Sequence, residues 1–314
     1  MRALLTGAGG FVGAHLLTAL QAAGDEVFAC GGPRDAGAYF PLDLADLQNL
    51  RAALDLARPE VVFHLAGQAF VPAANADPLA SYDVNALGTA RLLAAVRGYR
   101  DAGNPAPRLV LASSADVYGM RDPGDLPFRE ELALRPVNPY AASKAAAEMI
   151  ALAEARTYDL DVRVARGFNQ IGPGQSDVFA IASFAEQLAR IAAGAPARMA
   201  VGNLDVRRDM LDVRDAAQAY LAIASAGCSG EVYNVCSGRA TSLREMLGEL
   251  IRIAGVAVEV RNDPARMRPV EMLVAFGSYE KLATQTGWRP RTPLAATLAD
   301  IYADACVRIA APPA

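Results

Sequence analysis

Thr6-Gly-Ala-Gly-Gly-Phe-Val-Gly13 is the stretch of this chain that decides its fold. A short apolar run precedes it and a helical pattern follows it. A glycine-rich turn in that context is typical of a site for the pyrophosphate of a dinucleotide. Gly7 would allow the tight turn, Gly10 would let the backbone approach the pyrophosphate, and Gly13 would let the helix pack on the strand. The spacing is Gly-x-x-Gly-x-x-Gly rather than Gly-x-Gly-x-x-Gly.

Segments with strand and helix patterns alternate along the chain. Short apolar runs predict buried parallel strands at residues 2–6, 26–30, 39–42, 61–65, 109–112, 161–166 and 231–236. Longer amphipathic or alanine-rich runs predict helices at residues 11–23, 47–56, 78–96, 141–155 and 178–193. This alternation predicts an α/β fold with a Rossmann-type doubly wound parallel sheet, covered by helices on both faces. Ligands bind such sheets at the carboxyl ends of the strands, where Gly7, Ala66, Ser114 and Gly167 fall.

The end of the second predicted strand bears on the kind of dinucleotide. An acidic residue there would hold the ribose hydroxyls of NAD. This chain has Gly31 and Gly32 instead, and Arg34 follows. A missing carboxylate beside an arginine favours a 2′-phosphate, hence NADP, although Arg34 is equally compatible with a solvated loop position. Asp43, after the next strand, could reach the adenine amino group.

Asn138-Pro-Tyr-Ala-Ala-Ser-Lys144 places a phenol and an ammonium four residues apart at the start of an alanine-rich helix. Residues at that spacing share a helix face. A nearby cation favours the phenolate and lowers the pKa of a tyrosine. Tyr140 and Lys144 could therefore exchange a proton with an alcohol or a ketone near neutral pH. Taken alone, the same spacing also fits an ordinary helix start with a solvated lysine.

Composition argues against several classes of protein. The chain has 314 residues, is 53% hydrophobic and carries a net charge of -4. This charge gives no electrostatic reason to expect nucleic acid or an anionic membrane as a partner, and no apolar run is long enough for a membrane span. The cysteines form no Cys-x-x-Cys pair and the histidines are too few for a metal centre, so we expect a cytoplasmic protein with reduced thiols and no metal. The first glycine, Gly7, comes too early to leave room for a signal peptide.

In the order and spacing of its motifs, the chain resembles the extended short-chain dehydrogenase/reductase superfamily over nearly its full length. The matching pieces are Thr6-Gly-x-x-Gly-x-x-Gly13, Asp43-Leu44, His64-Leu-Ala-Gly67, Asn85, Ser113-Ser-x-x-Val-Tyr-Gly119 and Tyr140-x-x-x-Lys144. The resemblance implies a catalytic group of Ser114, Tyr140 and Lys144, in which Tyr140 is the acid/base. Lys144 would lower the pKa of Tyr140 and hold the nicotinamide ribose. The implied cofactor is NADP(H), with NAD(H) possible, bound by Gly7, Gly10, Phe11, Val12, Gly13, Arg34, Asp43, Leu44, Leu65, Ala66, Gly67, Tyr140 and Lys144.

Three stretches are most similar to the GDP-4-dehydro-6-deoxy-D-mannose reductases, which form GDP-D-rhamnose. They are Phe168-Asn-Gln-Ile-Gly-Pro-Gly-Gln175, Val201-Gly-Asn-Leu-Asp205 and Val232-Tyr-Asn-Val-Cys-Ser-Gly238. The related GDP-mannose 4,6-dehydratases carry Arg-Arg-Gly-Glu where this chain has Gly172-Pro-Gly-Gln175. Dehydratases also need a carboxylate to take the C5 proton, usually a Glu at the position of Asp116. Asp116 is one methylene shorter than Glu, and some reductases keep an acid there too, so it weakens the dehydratase interpretation without excluding it. Asp116 is therefore counted among the candidate catalytic residues.

The resemblance also implies a substrate site for a GDP-sugar. Its residues are Gln68, Ser114, Asn169, Arg208, Arg268 and Glu271. The planar guanidinium group suits a clamp on a diphosphate. The alternative for Arg208 and Arg268 is surface ion pairing with Asp209 and Glu271.

The implied organisation is a dinucleotide-binding domain with a smaller, discontinuous α/β substrate domain. Residues 1–170 and 210–238 would form the first, and residues 171–209 and 239–314 the second. In relatives, helices corresponding to residues 78–96 and 141–155 pair across a two-fold axis, so we expect a homodimer. Rival functions are a 4,6-dehydratase, a UDP-sugar 4-epimerase and a redox-inactive binding protein. The complete Ser-Tyr-Lys set argues against the last of these.

Overall fold

The structure is a computed structural model that describes residues 1–31, 39–266 and 272–310. Within these ranges the strands are β1 (Arg2–Thr6), β2 (Glu26–Gly31), β3 (Phe40–Pro41), β4 (Val61–His64), β5 (Arg108–Ser114), β6 (Val162–Gly167), β7 (Asn169–Ile171), β8 (Arg198–Val201), β9 (Arg207–Asp212), β10 (Val232–Val235), β11 (Ala240–Ser242), β12 (Glu259–Asn262) and β13 (Val274–Ala275). The α-helices are α1 (Phe11–Ala22), α2 (Leu47–Ala57), α3 (Val71–Ala76), α4 (Pro78–Tyr82), α5 (Gly88–Asp101), α6 (Pro139–Tyr158), α7 (Ala180–Ala192), α8 (Val213–Ala226), α9 (Leu243–Ala254), α10 (Glu280–Thr286) and α11 (Leu294–Ala310).

Seven strands form a central sheet in the order β10-β6-β5-β4-β1-β2-β3. All the neighbouring pairs are parallel. Every residue of β4 and β6 is buried, as expected for strands covered on both faces. The predicted Rossmann-type doubly wound sheet is therefore confirmed. The strand order reverses between β1 and β4, and a crevice for ligands lies at the carboxyl ends of such neighbours.

Two layers of helices bury the faces of this sheet. Leu16 and Leu20 of α1 pack with Ile223 of α8 in one hydrophobic core. On the other face, the apolar residues of α2, α5 and α6 form a second core around Leu54 and Leu93. Helix α6 lies on the second face and packs against β5, with Lys144 of its first two turns hydrogen-bonded to Ala112 of the strand.

The later part of the chain adds a smaller layer. Strands β7, β9, β11 and β13 form a mixed sheet, and β8 pairs with β12. Helices α7, α9 and α11 enclose a third hydrophobic core between them. None of the helices in the described ranges combines the length and the hydrophobicity needed to cross a membrane.

The helix predicted for residues 78–96 is present, but it is not α-helical throughout. The structure has α4, then a π-helical turn at Asp83–Leu87, and only then α5. Asn85 lies in this wider turn, is 2% exposed and forms hydrogen bonds with Gln68 after β4 and with Ser143 on α6. Apolar periodicity does not report such a local change of hydrogen-bond register. The helix predicted for residues 141–155 begins earlier, because Asn138 caps it by accepting from the backbone of Ala141 at 2.8 Å.

Candidate active site

The glycine turn after β1 is too tightly packed to accept side chains. Gly7 has a φ of +75°, and a Cβ on it would lie 2.7 Å from the backbone nitrogen of Ala66. A Cβ on Gly13 would lie 2.0 Å from the carbonyl oxygen of Gly7. Gly10 is the N-cap of α1 and has no side chain to cover the amide groups of the first turn. The turn therefore offers helix N-terminal N–H groups, the kind of site at which phosphate binds.

A buried hydrogen-bond chain through His64 joins this turn to the end of β4. Burial lowers the pKa of His64 to about 3, so its ring is neutral. Thr89 donates its hydroxyl proton to the carbonyl of Asn85 at 2.6 Å and therefore accepts from Nε2 of His64 at 3.2 Å. Nδ1 is then the acceptor for the hydroxyl of Thr6 at 2.8 Å, and Thr6 Oγ1 accepts from the backbone of Ala66 at 3.2 Å. These bonds fix the two walls of the crevice between β1 and β4.

Ser114, Tyr140 and Lys144 meet at the carboxyl end of β5. Ser114 is the last residue of β5, whereas Tyr140 and Lys144 lie one helical turn apart on α6. The side chain of Ser114 forms a hydrogen bond with the phenol of Tyr140. The Ser114 oxygen also accepts from the backbone of Asp116 at 3.2 Å, and Lys144 Nζ donates to the carbonyl oxygen of Ala112 at 3.0 Å. The structure thus brings together three residues that are up to 30 positions apart in the sequence.

Burial governs the pKa values of this group. It raises the pKa of Tyr140 above its ordinary value, the charge of Asp116 raises this pKa further, and the bond with Ser114 opposes both. Burial also lowers the pKa of Lys144 to about 8. The net shift of the Tyr140 pKa is upward because burial dominates it, and the expected lowering of this pKa by Lys144 stays a prediction. Tyr140 is a neutral phenol at pH 7, and a neutral phenol can donate a proton.

Asn85 ties the loop after β4 to the catalytic helix. Its Oδ1 accepts from the backbone of Gln68 at 2.8 Å, and its Nδ2 donates to the carbonyl of the same residue at 3.0 Å. Nδ2 also donates to the hydroxyl of Ser143 on α6 at 2.8 Å. A Cβ on Gly67 would lie 2.6 Å from Asn85 Oδ1 and 3.4 Å from Lys144 Nζ. The loop therefore passes close to the lysine only because Gly67 has no side chain.

A buried ion pair that sequence reasoning missed joins α6 to β6. Glu148 is 1% exposed and Arg166 is 4% exposed. Arg166 Nε lies 3.1 Å from both carboxylate oxygens of Glu148, and its Nη2 donates to the same group. Ser113 donates to Glu148 at 3.0 Å, and Arg166 Nη1 donates to the hydroxyl of Tyr118 at 2.9 Å. The position of Glu148, eight residues after Tyr140 on the same helix face, was the available signal.

The other residues predicted to bind cofactor lie in the first turn of α1 and in the segments that follow β3 and β4. Phe11 and Val12 are half-buried in the first turn of α1. Leu65 is half-buried after β4, and its N–H donates to the carbonyl oxygen of Thr6 at 3.2 Å. Leu44 is buried, whereas Asp43 is exposed. The Asp43 carboxylate accepts from the backbone of residue 45 at 2.8 Å.

The predicted substrate residues are more dispersed. Gln68 is half-buried, and its Oε1 accepts from the backbone of Phe70 at 2.6 Å. Asn169 is exposed and donates to the carbonyl of Asp209 at 3.1 Å. Arg208 donates from Nη1 to the carbonyl of the preceding residue at 3.0 Å. The predictions for Arg34, Arg268 and Glu271 lie outside the described residues.

Asp209, the alternative ion-pair partner considered for Arg208, is already surrounded by donors. It is fully buried. Its carboxylate accepts from the backbone and hydroxyl of Ser237, both at 2.7 Å, and from the backbones of Gly238 at 3.0 Å and Gly277 at 3.2 Å. Four hydrogen bonds fill most of the acceptor sites of a carboxylate. Asp209 therefore holds together the segments that surround the carboxyl end of β10.

The fold and the site together define a class of protein. A glycine cradle and a Ser-Tyr-Lys group share the ligand-binding edge of a doubly wound sheet, which is the arrangement of a dinucleotide-dependent oxidoreductase. The family described as GDP-mannose 4,6 dehydratase matches residues 4–301. The chain belongs to this family, within the extended short-chain dehydrogenase/reductase superfamily that its motifs predicted.

Individual relatives match along nearly the whole chain. A GDP-6-deoxy-D-mannose reductase from Pseudomonas aeruginosa is 43% identical over 304 residues, which cover 96% of each chain. The structure of RMD from Pseudomonas aeruginosa complexed with NADPH superimposes with a TM-score of 0.87 at 40% identity and covers 98% of this chain and 100% of that chain. The UDP-glucose 4-epimerase of Thermus thermophilus complexed with NAD gives a TM-score of 0.86 at 31% identity, with 99% and 100% covered. The similarity to a reductase agrees with the activity predicted from the sequence.

Proposed function

We propose that this protein reduces the C4 ketone of GDP-4-dehydro-6-deoxy-D-mannose to give GDP-D-rhamnose, with NADPH as the preferred cofactor. The observation that carries the proposal is the neutral Tyr140 in a hydrogen bond with Ser114 at the ligand-binding edge of the sheet. Reduction of a ketone needs a proton donor at the carbonyl oxygen, and the protonated phenol of Tyr140 is such a donor. The 43% identity to a GDP-6-deoxy-D-mannose reductase supports the choice of substrate.

Ser114 and Tyr140 would act on the same carbonyl oxygen. The Ser114 oxygen accepts a hydrogen bond from the backbone N–H of Asp116, so the Ser114 O–H does not point toward Asp116 and can donate to a substrate oxygen. Two donors on one oxygen stabilise the negative charge that develops there. Tyr140 would transfer its proton to this oxygen. The dinucleotide, when bound, supplies the hydride for C4.

The cofactor fits the residues at the edge of the sheet. A Cβ on Gly7, Gly13 or Gly67 would lie 2.7, 2.0 or 2.6 Å, respectively, from neighbouring protein atoms. Only glycine therefore fits at these three positions beside the crevice. Gly10 and the first turn of α1 would hold the pyrophosphate, and Lys144 would hold the nicotinamide ribose. Arg34 would favour the 2′-phosphate of NADP. One similar structure contains NADPH and another contains NAD, which supports NADPH as preferred and NAD as possible.

The sugar nucleotide would bind between the main sheet and the smaller layer. We assign residues 1–170 and 210–238 to the dinucleotide-binding domain and residues 171–209 and 239–314 to the substrate domain. The separate hydrophobic core of α7, α9 and α11 supports this division. Arg208 and Arg268 would clamp the diphosphate, Asn169 would contact its oxygens, Glu271 would take ribose hydroxyls and Gln68 would face the sugar.

A homodimer in the cytoplasm is part of the proposal. Leu79, Leu87 and Met149 are 78%, 49% and 65% exposed on α4, the π-helical turn and α6. Large apolar side chains exposed on adjacent helices are typical of a protein interface. The four cysteines are free thiols, which agrees with a reducing compartment.

The experiment that tests the proposal is product analysis. The protein is mixed with NADPH and GDP-4-dehydro-6-deoxy-D-mannose, the absorbance at 340 nm is followed, and the product is identified by mass spectrometry and NMR. We expect one NADPH consumed for each ketone reduced. GDP-mannose and UDP-glucose serve as parallel substrates, and turnover of either one without the 4-keto sugar being reduced would contradict the proposal.

One observation keeps a dehydratase activity as the second candidate. Asp116 is exposed two residues after Ser114, and its charge acts on Tyr140. A carboxylate is therefore close enough to the catalytic group to influence it. A dehydratase would use that carboxylate to remove the C5 proton of GDP-mannose.

A further inference from the structure

Ser114 lies at the junction between a strand and a short turn. It is the last residue of β5, and a 3₁₀-helical turn at Ala115–Tyr118 follows it. The hydrogen-bond geometry of a 3₁₀ turn is poorer than that of an α-helix, so the turn alone gives little control over the residue that precedes it. The position of the Ser114 hydroxyl therefore depends on the contacts that hold the chain on either side of it.

Arg166 holds the chain after Ser114 through Tyr118. The Tyr118 side chain is fully buried at the end of the turn, and burial raises the pKa of its phenol, which is therefore protonated. Its hydroxyl donates to Oδ1 of Asn234 on β10 at 2.7 Å and accepts from Nη1 of Arg166 on β6 at 2.9 Å. The guanidinium carbon of Arg166 also lies 4.9 Å from the centre of the Tyr118 ring. These contacts fix the end of the turn to two neighbouring strands of the sheet.

The same arginine holds the chain before Ser114 through Glu148. Two nitrogens of Arg166 donate to this buried carboxylate, which also accepts from the hydroxyl of Ser113 at 3.0 Å. Ser113 is in register with Arg166 on the neighbouring strand. Glu148 lies two turns after Tyr140 on α6. One buried network thus connects both sides of Ser114 to the helix that carries the acid.

We propose that Arg166 and Tyr118 are positioning residues that set the place of the Ser114 hydroxyl relative to Tyr140. Both side chains are buried and hydrogen-bonded within the protein, so they act through Ser114 and not on the substrate. A displacement of about 1 Å between reacting groups can lower a rate about a hundredfold. A hydroxyl that must share one substrate oxygen with a phenol therefore needs such support. The inference rests on the catalytic group of the proposed function and adds the residues that hold this group in place.

A double-mutant cycle with Ser114 tests the inference. Tyr118→Phe keeps the ring but removes the hydroxyl that accepts from Arg166. We expect kcat for the 4-keto sugar to fall about tenfold, while the affinity for NADPH, measured by titration calorimetry, does not change. Ser114→Ala should still turn over slowly, because Tyr140 gives the proton, and adding Tyr118→Phe to it should change kcat by less than about twofold. Such coupling identifies a role that acts through Ser114, since a general loss of stability would affect both backgrounds alike.

Ser113→Ala tests the other side of Ser114 with a smaller change, and it decides the question if Tyr118→Phe fails to fold. It removes the hydroxyl that donates to Glu148 and leaves the ion pair with Arg166 in place. We expect kcat to fall about threefold, again only when the Ser114 hydroxyl is present.

Tyr233→Phe on β10 is the matched control. Tyr233 is as fully buried as Tyr118, and its hydroxyl accepts from the backbone of Cys228 at 2.7 Å and donates to Gln285. Its partners therefore lie outside the network around Ser114. The control should lower the midpoint of urea unfolding, as Tyr118→Phe does, but leave kcat unchanged.

Three results would overturn the inference. An unchanged kcat in the folded single variants would show that Ser114 needs no such support. A loss of kcat that is the same with and without the Ser114 hydroxyl would show that the network acts on something else. An equal loss of kcat in Tyr233→Phe would show a purely structural role.

The cycle also separates the inference from the proposed function. Reduction of the 4-keto sugar without coupling between the variants would remove the inference alone. Turnover of GDP-mannose or UDP-glucose in place of the 4-keto sugar would remove the proposed function alone, and the same cycle on that reaction then decides the inference. A protein that turns over none of these sugar nucleotides would remove both.

Discussion

Tyr140 is both buried and hydrogen-bonded, and the two conditions act on its pKa in opposite directions, with burial the larger effect. Burial and the charge of Asp116 raise its pKa, and Ser114 keeps the phenol oriented. The side chain is therefore ready to give a proton at neutral pH. A ketone reductase needs this state of its acid, since the alkoxide that forms at C4 must be protonated.

Replacing Tyr140 by Phe removes the proton donor with little change in volume. We expect turnover of the 4-keto sugar to fall by roughly two to four orders of magnitude, while NADPH still binds. Steady-state kinetics and calorimetric titration measure the two effects separately. Turnover within about twofold of the wild type would show that another group gives the proton.

Lys144 should make the stability of the protein depend on pH. Burial lowers its pKa from 10.5 to about 8. Between these two values the unfolded chain binds more protons at this site than the folded chain, so stability rises with pH in that window. A pKa shift of this size corresponds to a change of about 3 kcal/mol in the free energy of unfolding across the whole window. The cost of burying the cation is fully present below pH 8.

The variant Lys144→Met lacks this titration. We expect the difference in unfolding free energy, wild type minus variant, to move in favour of the wild type as the pH rises from 7.5 to 9.5. Urea unfolding at several pH values measures it. A difference that does not change with pH would mean that the ammonium is not desolvated in the folded protein.

Helix α6 shows why a helix can be predicted from the sequence while the buried contacts that hold it against the sheet cannot. Its alanine content predicts a helix, and the spacing of Tyr140 and Lys144 predicts a shared face. The ion pair between Glu148 and Arg166 was missed, because charged residues are mostly solvated and a sequence does not reveal the exceptions. The same limit explains the π-helical turn, which depends on the partners of Asn85 rather than on its neighbours in the chain.

Strands were easier to predict than site residues for a physical reason. A strand buried on both faces is mostly apolar, so β4 and β6 are visible in the sequence to within one or two residues, although β6 also contains the buried Arg163 and Arg166. The roles of Arg34, Arg268 and Glu271 stay predictions from the resemblance.

Glu148 should contribute far more to stability than a second acidic residue on the same helix. Glu148→Gln leaves the buried Arg166 without its counter-charge, and breaking such a pair costs about 3–5 kcal/mol. Glu154 on α6 pairs with Arg97 at 3.1 Å but both side chains are about a quarter exposed, and Glu154→Gln should cost about 1 kcal/mol or less. Chemical unfolding of both variants measures the contrast. Equal costs would show that the ion pair does not anchor the helix.

At the level of the whole molecule, the exposed residues of α4 and α6 bear on assembly. We expect light scattering at micromolar concentration to give twice the chain mass of 33.0 kDa. Leu79→Asp combined with Met149→Asp should give a monomer, because each charge would be buried twice in a two-fold contact. Val307→Asp is the matched control, since Val307 is 70% exposed on α11. A monomeric wild type would contradict the homodimer. A Val307→Asp control that dissociates as readily as the double variant would show that the interface does not lie on α4 and α6.

The two candidate activities of the molecule differ in what they require of Asp116. A dehydratase must remove the C5 proton and expel the C6 hydroxyl, and it regenerates its cofactor in each turnover. A reductase needs one hydride and one proton, which the cofactor and Tyr140 supply without Asp116. The wild type should therefore consume NADPH in equal amount to the 4-keto sugar and leave GDP-mannose unchanged.

Asp116→Asn keeps the size and polarity of the side chain but removes the carboxylate base. We expect this variant to retain most of its reductase activity, within about threefold, because the proton donor and its hydrogen bond with Ser114 stay in place. Asp122→Asn, an exposed aspartate six residues further along, is the control for a general effect of charge. Absorbance at 340 nm and mass spectrometry of the sugar nucleotides give both readouts from one reaction. Formation of a 4-keto sugar from GDP-mannose without added reductant, lost in Asp116→Asn and kept in Asp122→Asn, would assign the protein to the dehydratases instead.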